Sequence, residues 1–360
     1  MSGWLEATNI LAVRMDNIGD VIMLSPALRA IKRARPSARL TLLASPAGAT
    51  AAPLLPWIND VIAWRAIWQD LGDLPFDPGR ELELVATLRE RQFDAALVFT
   101  SFSQTPHTPA YACYLAGIPL RAGTSKVFGG AVLTDELRCE DDALHQAERN
   151  LRLIEAVGYR VDDRRLTVNI PTAARGSTRA LLREAGANTA HPYVIVHPGA
   201  SADARRYQVE RFAEVVALLD ARGDQAVVTG SEREHDLIAA VCGDTPGAIP
   251  LVGRTSVAEY AAIVEGAAAV VCNDSLPMHL ADAVGTPAVV LFSGTDLASQ
   301  WRPRTIAARL LRRPTACTPC YRFDCPIGLP CLDIEPFEVV AALVTLLAGS
   351  RAAMREAARQ

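Results

Sequence analysis

An α/β fold made of two doubly wound parallel sheets is predicted by three observations. Strand-like and helix-like segments alternate from one end of the 360-residue chain to the other. The strand-like runs are short and continuously apolar, as expected of parallel strands covered on both faces. A central stretch without periodicity separates two sets of alternations of similar size, and the length itself favours two domains.

In the first half, residues 10–13 read as a buried strand. A helix follows, with Val21, Leu24, Leu28 and Ile31 on one face, and it stops before Pro36 because the residue preceding a proline avoids the helical region. Residues 40–43, 61–64 and 95–99 read as further strands, and the Gly-containing stretch 118–133 reads mostly as loop. An amphipathic helix spans 147–157, with Leu151, Ile154 and Val157 in phase and Gly158 closing it. Residues 168–177, with Pro171 and Gly176, read as the linker.

The second set places strands at 193–197, 226–229, 269–273 and 288–292, and helices at 209–221, 233–241, 257–265 and 277–284. A last helix from Pro336 to about Leu347 carries Phe337, Val340, Leu343, Val344 and Leu347 on one face. The expected division is 1–172, 173–335 and a C-terminal helix in 336–360 that returns toward the first domain. Ligands of doubly wound sheets bind beyond the carboxyl ends of the strands, so a central cleft between the two domains is the expected site.

Composition narrows the function. Half of the residues are hydrophobic, enough for a full core in each half. The net charge is −4 and the pI about 5.9, without the basic face of a nucleic-acid binder. No apolar run is long enough for a membrane span, and no basic patch followed by an apolar stretch marks a leader, so a cytoplasmic location is expected. Lys32 and Lys126 are the only lysines among 36 basic residues, so Arg in place of Lys carries little meaning in this chain. Cys113, Cys139, Cys242 and Cys272 are scattered in apolar or ordinary contexts and read as small core residues.

Three segments carry chemistry. Arg14-Met15-Asp16-Asn17-Ile18-Gly19-Asp20 follows the first strand, where Gly19 permits a tight turn and Asp20 either caps the helix or faces a ligand. It is not a dinucleotide fingerprint. His197-Pro198-Gly199-Ala200-Ser201, followed by Arg205 and Arg206, opens the second half. Small residues with hydroxyl and guanidinium donors suit a phosphate cradle, and equally an ordinary loop with solvated arginines. Asn273-Asp274-Ser275-Leu276-Pro277-Met278-His279 ends a strand and starts a helix whose N-terminus suits a pyrophosphate. His279 either donates to a phosphate oxygen or is a packed histidine. All three segments fall at carboxyl ends of predicted strands.

Together these residues resemble glycosyltransferase family 9, the ADP-heptose transferases. The resemblance rests on Asp16 to Asp20 with Ser25-Pro26-Ala27-Leu28, on His197 to Ser201, and on Asn273-Asp274-Ser275 with Pro277-Met278-His279-Leu280. Gly294-Thr295-Asp296 and His145 with Glu148-Arg149-Asn150-Leu151 resemble further family stretches. It runs from about Ile10 to Val344.

The resemblance implies a GT-B fold of two Rossmann-like domains and an inverting transfer, usually of heptose from ADP-heptose, that needs no metal. It places the acceptor on the first domain and the nucleotide on the second. It makes Asp20, beside Gly19, the general base, and Arg205 the phosphate partner. Ser201, Arg206, Asp274, Ser275, Met278 and His279 join the nucleotide-sugar site, with Glu234 and Thr255 in loops that could meet the nucleoside. The chain departs from the family at Arg205 (commonly Lys), Leu276 (commonly Gly) and Leu297 (commonly Pro). The acceptor implied is a lipopolysaccharide core or another glycolipid, or a soluble small molecule, reached without a membrane anchor. The competing functions are a GT-B transferase or epimerase using a UDP- or GDP-sugar, and an inactive nucleotide-binding relative, which Leu276 favours.

Cys317, Cys320, Cys325 and Cys331 cluster near the C-terminus among Pro319, Pro326 and Pro330. Their spacing is compatible with a structural zinc site, with disulfides, or with free thiols in a tight loop.

Overall fold

The chain was analysed as a computed structural model, which describes residues 2–139 and 141–357. It divides into two compact units, residues 1–169 and 170–360, each built on one six-stranded sheet. Among the described residues no helix is long and apolar enough to cross a membrane.

The first sheet contains β1 (Asn9–Arg14), β2 (Arg39–Ala44), β3 (Asp60–Ala63), β4 (Ala95–Val98), β5 (Leu120–Ser125) and β6 (Asp135–Arg138). They are ordered β3-β2-β1-β4-β5-β6, and every pair is parallel. The most apolar strand, β1, lies in the middle, with Ile10 opposite Leu40 on one side and Ala95 on the other. Its alternate residues Leu11 and Val13 pack with Leu84, Leu88, Val98 and Cys113 on one face. Ile10 and Ala12 are buried on the opposite face. Each fully buried Leu or Ile of this kind stabilises the fold by about 2 kcal/mol.

The second sheet contains β7 (Tyr193–His197), β8 (Gln225–Gly230), β9 (Ala248–Val252), β10 (Ala269–Asn273), β11 (Ala288–Leu291) and β12 (Ala308–Leu311). Its order is β12-β11-β10-β7-β8-β9, again all parallel. The helix Val209–Ala221 buries Phe212, Val215, Val216 and Leu219 against this sheet. The last helix, Pro336–Ala357, packs on Val209–Ala221 and on β10, β11 and β12, inserting Val339, Val340, Leu343 and Leu346 into the same core.

Both strand orders reverse at the centre of the sheet. The chain winds outward from β1 through β2 and β3, then returns to lay β4 on the other side of β1. In the second unit β7 is flanked in the same way by β8 and β10. The crossovers on either side of such a switch point diverge and leave a crevice beyond the strand ends. The crevices therefore fall between β1 and β4, and between β7 and β10.

Several elements differ from the sequence reading. The first helix is broken into Ile18–Ile22 and Ser25–Ala34, the second starting around Pro26. The stretch read as loop contains β5, whose Arg121 is buried and donates to the Val132 and Pro119 carbonyls. The segment read as linker begins the helix Thr172–Glu184, and its buried face is only Ala174, Thr178 and Leu182, too weakly apolar to show a period. The strands β6, β9 and β12 lie at sheet edges, where burial and apolar patterning fade.

Candidate functional site

In the first unit the site is built at the end of β1. Arg14 is its last residue, and its guanidinium is completely buried. Its Nη2 lies 2.8 Å from Asp20 Oδ1 and its Nε 2.9 Å from Asp16 Oδ2. Nη2 also donates to Ser101 Oγ at 3.1 Å. Burial works against the Arg14 charge, but Asp16 and then Asp20 outweigh it and the group holds its proton tightly.

Asp20 is the third residue of the short helix Ile18–Ile22, and its Oδ2 accepts from the Asn17 backbone N–H at 3.1 Å. The helix-capping role read from sequence and the contact with Arg14 therefore coexist, one on each carboxylate oxygen. Gly19 is buried within the same helix. Asp16 Oδ1 accepts from Gln69 Nε2 at 3.0 Å and from Gln104 Nε2 at 2.5 Å. Burial lifts the Asp16 carboxyl above its usual range; Arg14 opposes this and Asp20 adds to it. A cavity of about 270 Å³ opens beside Asp16 at the β1/β4 switch point, lined by Trp68, Gln69, Thr100, Ser103 and Gln104 among others. Arg14, Gln69 and Gln104 were not singled out from the sequence. The Arg14-x-Asp16-x3-Asp20 spacing was the available signal for the first of them.

In the second unit the loop after β7 is held in place by Asn273, the buried last residue of β10. Its Nδ2 donates to the Pro198 carbonyl at 2.7 Å and its Oδ1 accepts from the Tyr207 backbone N–H at 3.1 Å. One amide thus clamps both ends of the loop. A Cβ at Gly199 would meet the Glu234 carboxylate, so a side chain there would displace that group. Glu234 Oε2 is itself held by the backbone N–H and hydroxyl of Ser231 at 2.8 and 2.7 Å. His197, beside this loop, is within 3.0 Å of Thr229 Oγ1; burial pushes its pKa down to about 4, against the pull of Glu234.

The predicted residues separate into groups. Arg205, on the 3-10 turn Asp203–Arg205, reaches Asp296 Oδ2 at 2.7 Å and stands 4.0 Å from Asp274 Oδ2. Arg206 turns the other way and braces the loop, donating to the Ala200 carbonyl from Nε at 3.0 Å and Nη2 at 2.9 Å, and pairing with Asp203. Ser201 is exposed on the loop. Thr255 lies between β9 and the helix Val257–Gly266, near the carboxyl end of the sheet.

Asp274 and Ser275 connect β10 to the helix Leu276–Val284, with Ser275 at its N-cap. Leu276 is the first residue of that helix and has no positive φ, so the departure from the family's glycine imposes no backbone strain. Met278 and His279 are buried in its first turns. Burial pushes the His279 pKa down to about 4, with Asp282 raising and Arg205 lowering it, and its ring lies edge-on to Trp301 with centroids 6.5 Å apart.

Asp296, Thr295 and Ser293, after β11, complete this group. Thr295 Oγ1 donates to Asp296 Oδ2 at 2.9 Å, Ser293 Oγ lies 2.8 Å from Thr295 Oγ1, and Ser293 Oγ donates to Asp274 Oδ2 at 3.3 Å. One guanidinium therefore serves two buried carboxylates joined by two hydroxyls. Burial pushes the Asp274 carboxyl up to about 7; Arg205 opposes and Asp296 reinforces the shift. A cationic turn, a helix N-terminus and buried hydroxyls meet at the β7/β10 switch point, donors that suit an anion, although two carboxylates already share the guanidinium.

The four clustered cysteines are not assembled as a metal centre. Among the described residues no group of three or more His, Cys, Asp or Glu side chains is placed to hold an ion. Cys331 is drawn into the core of the second unit, exposed Cys317 faces Thr315 Oγ1 at 3.5 Å, and Cys325 Sγ accepts from the Leu329 backbone N–H at 3.3 Å. Of the three options that the spacing leaves open, the zinc site is the one this arrangement does not provide among the described residues.

The chain is 26% identical over 355 residues to lipopolysaccharide heptosyltransferase 2 of Salmonella typhimurium, covering 94% of this chain and 98% of that protein. It superposes on the E. coli ADP-heptose lipopolysaccharide heptosyltransferase II structure with a TM-score of 0.76 at 22% identity, over 95% of this chain and 99% of that one. A more distant fold match is the iron-containing dodecameric glycosyltransferase TibC of enterotoxigenic E. coli, with a TM-score of 0.56 at 15% identity, over 95% and 77% of the two chains. The fold is GT-B, two Rossmann-like units. The sequence profile of glycosyltransferase family 9 (heptosyltransferase) matches residues 82–329, more than half of the chain, so this protein is a glycosyltransferase and belongs to that family.

Proposed function

We propose that the chain moves a heptose from ADP-heptose to a hydroxyl of a lipopolysaccharide-type acceptor, with inversion at the anomeric carbon. The observation that carries this reading is the Arg205 group at the β7/β10 switch point, where one guanidinium and a helix N-terminus offer donors to an anion. In this reading the diphosphate of the donor docks there, and Glu234 and Thr255 meet the nucleoside. The acceptor binds the first unit, near Asp20 and the polar cavity beside Asp16.

The acceptor hydroxyl attacks the anomeric carbon from the face opposite the diphosphate, and Asp20 takes its proton, an effect of about 10²–10⁴-fold for a positioned base. Arg14 positions Asp20 through its Oδ1. Negative charge grows on the departing diphosphate, and Arg205, the N-terminus of Leu276–Val284 and nearby hydroxyls stabilise it. His279, neutral at pH 7, contributes an N–H rather than a charge. These groups stand where another transferase would use a metal ion. The acceptor's lipid is met at the membrane face, where no helix among the described residues could span the bilayer.

A donor panel tests the reading. ADP-heptose is expected to raise the melting temperature at concentrations where UDP- and GDP-sugars do not. Stabilisation by a UDP- or GDP-sugar alone would reassign the donor.

A further inference from the structure

The Arg205 group contains more negative than positive charge before any ligand arrives. Asp274 and Asp296 are both buried, 6% and 5% exposed, and share one guanidinium. A donor diphosphate would bring two further negative charges to the same enclosed place, where each unpaired charge is costly. The two carboxylates are held unequally. Asp296 has a short pair with Arg205 and a 2.9 Å bond from Thr295. Asp274 has a longer 3.3 Å bond from the Ser293 hydroxyl, a 4.0 Å approach from Arg205 and weaker help from the Asp274 and Ser293 backbone amides, and its Oδ1 is buried without a well-formed hydrogen bond. The adjacent Ser275 Oγ and Arg205 Nε are likewise buried without partners.

We infer that binding of the donor's diphosphate draws one proton from solvent onto Asp274, which then donates it as a hydrogen bond to a phosphate oxygen. The inference rests on the donor reading given above. Only O–H bonds change: an acid in solvent loses a proton, Asp274 Oδ1 gains it, and the oxygen that lacked a well-formed hydrogen bond becomes a donor to the anion. Asp296 keeps its short pair with Arg205 and its bond from Thr295.

The groups around Asp274 leave it as the one that changes charge near neutrality. Arg205 on its turn is paired with Asp296. His279, on the helix that follows Asp274, is pushed down to about 4 by burial and stays neutral, and Asp282 on that helix is bonded to the backbone N–H groups of Arg304 and Thr305. Burial raises the Cys272 thiol of β10 far beyond neutrality, so it stays protonated. The Asp274 carboxyl, lifted to about 7 by burial with Arg205 opposing and Asp296 adding, is half-protonated at that pH; the backbone amides of Asp274 and Ser293 pull it down more weakly.

The experiment is calorimetric titration of the full chain with ADP-heptose, whose diphosphate diester does not itself titrate near neutrality. The expected result is an affinity roughly 20-fold weaker at about pH 8.5 than at about pH 6.5. At the higher pH, buffers of different ionisation enthalpy should report uptake of about one proton per donor bound. Asp274→Asn should flatten the pH dependence. If that variant does not fold, the wild-type buffer series still decides the matter. Affinity independent of pH with no proton uptake would overturn the inference and leave the donor reading intact. Absence of ADP-heptose binding at every pH would overturn both.

Discussion

Arg205 Nη2 lies 2.7 Å from Asp296 Oδ2, while its Nε stands 4.0 Å from Asp274 Oδ2. The guanidinium is thereby fixed by a carboxylate after β11 rather than left free on its turn. An ammonium would offer a point charge at this position. Arginine's planar fork can hold Asp296 with one nitrogen and offer others to a ligand.

Arg205→Ala should therefore weaken ADP-heptose binding by about 100-fold, in the range of a lost charge-assisted pair. Arg205→Lys should lose much less. Titration calorimetry on both variants checks the order; equal losses would show that charge alone is not what Arg205 supplies.

Among the described residues Arg14 is the one cation paired with Asp16 and Asp20, and it is fully buried. Removing one partner from a buried ionic group typically costs ~3–5 kcal/mol. Arg14→Ala should destabilise the chain by that amount in urea unfolding, and Arg14→Lys by less. A loss below about 1 kcal/mol would mean that Asp16 is already neutral and needs no partner.

The raised Asp274 carboxyl sets a direction for stability against pH. The unfolded chain ionises this group near pH 4, the folded chain only near pH 7, so between these values the folded state holds the extra proton. Its contribution favours the fold at acid pH and is lost as pH rises toward 7. Between about pH 5 and pH 8 the ligand-free wild type should lose about 2 kcal/mol more than Asp274→Asn. Parallel denaturant curves of the two proteins measure it, and identical slopes would contradict the assignment.

Because no group of three or more ligating side chains is placed to hold an ion among the described residues, metal removal should not matter to the fold. Protein incubated with a strong chelator is expected to keep its melting temperature. Exposed Cys317 should react with a thiol reagent well before buried Cys331. A fall of many degrees on chelation would restore the zinc reading.

Much of this was readable in the sequence because the parallel strands announce themselves. The runs in β7 and β10 lie at the very residues expected, since burial on both faces leaves them continuously apolar. The edge strands β6, β9 and β12, and β5 with its buried Arg121, carry no such signal; neighbours rather than pattern make them strands. The site was legible in its loops but not in its pairings. Asp20, Arg205 and Asp274 follow strands and drew attention for that reason. Arg14 and Asp296 belong to the same motifs, but their roles depend on which carboxylate meets which guanidinium across 6 or 91 residues of chain, and no periodicity encodes that. The state of the four clustered cysteines was left open for a related reason: spacing constrains what the thiols could reach, whereas core packing decides where Cys331 goes.

The central claim is that Asp20 takes the acceptor's proton while the second unit holds the donor. The most direct test is Asp20→Ala, assayed twice on one preparation. Donor affinity for ADP-heptose should stay within about twofold of wild type, and turnover onto a lipopolysaccharide acceptor should fall by ~10²-fold or more. Turnover close to wild type in that variant would contradict the account.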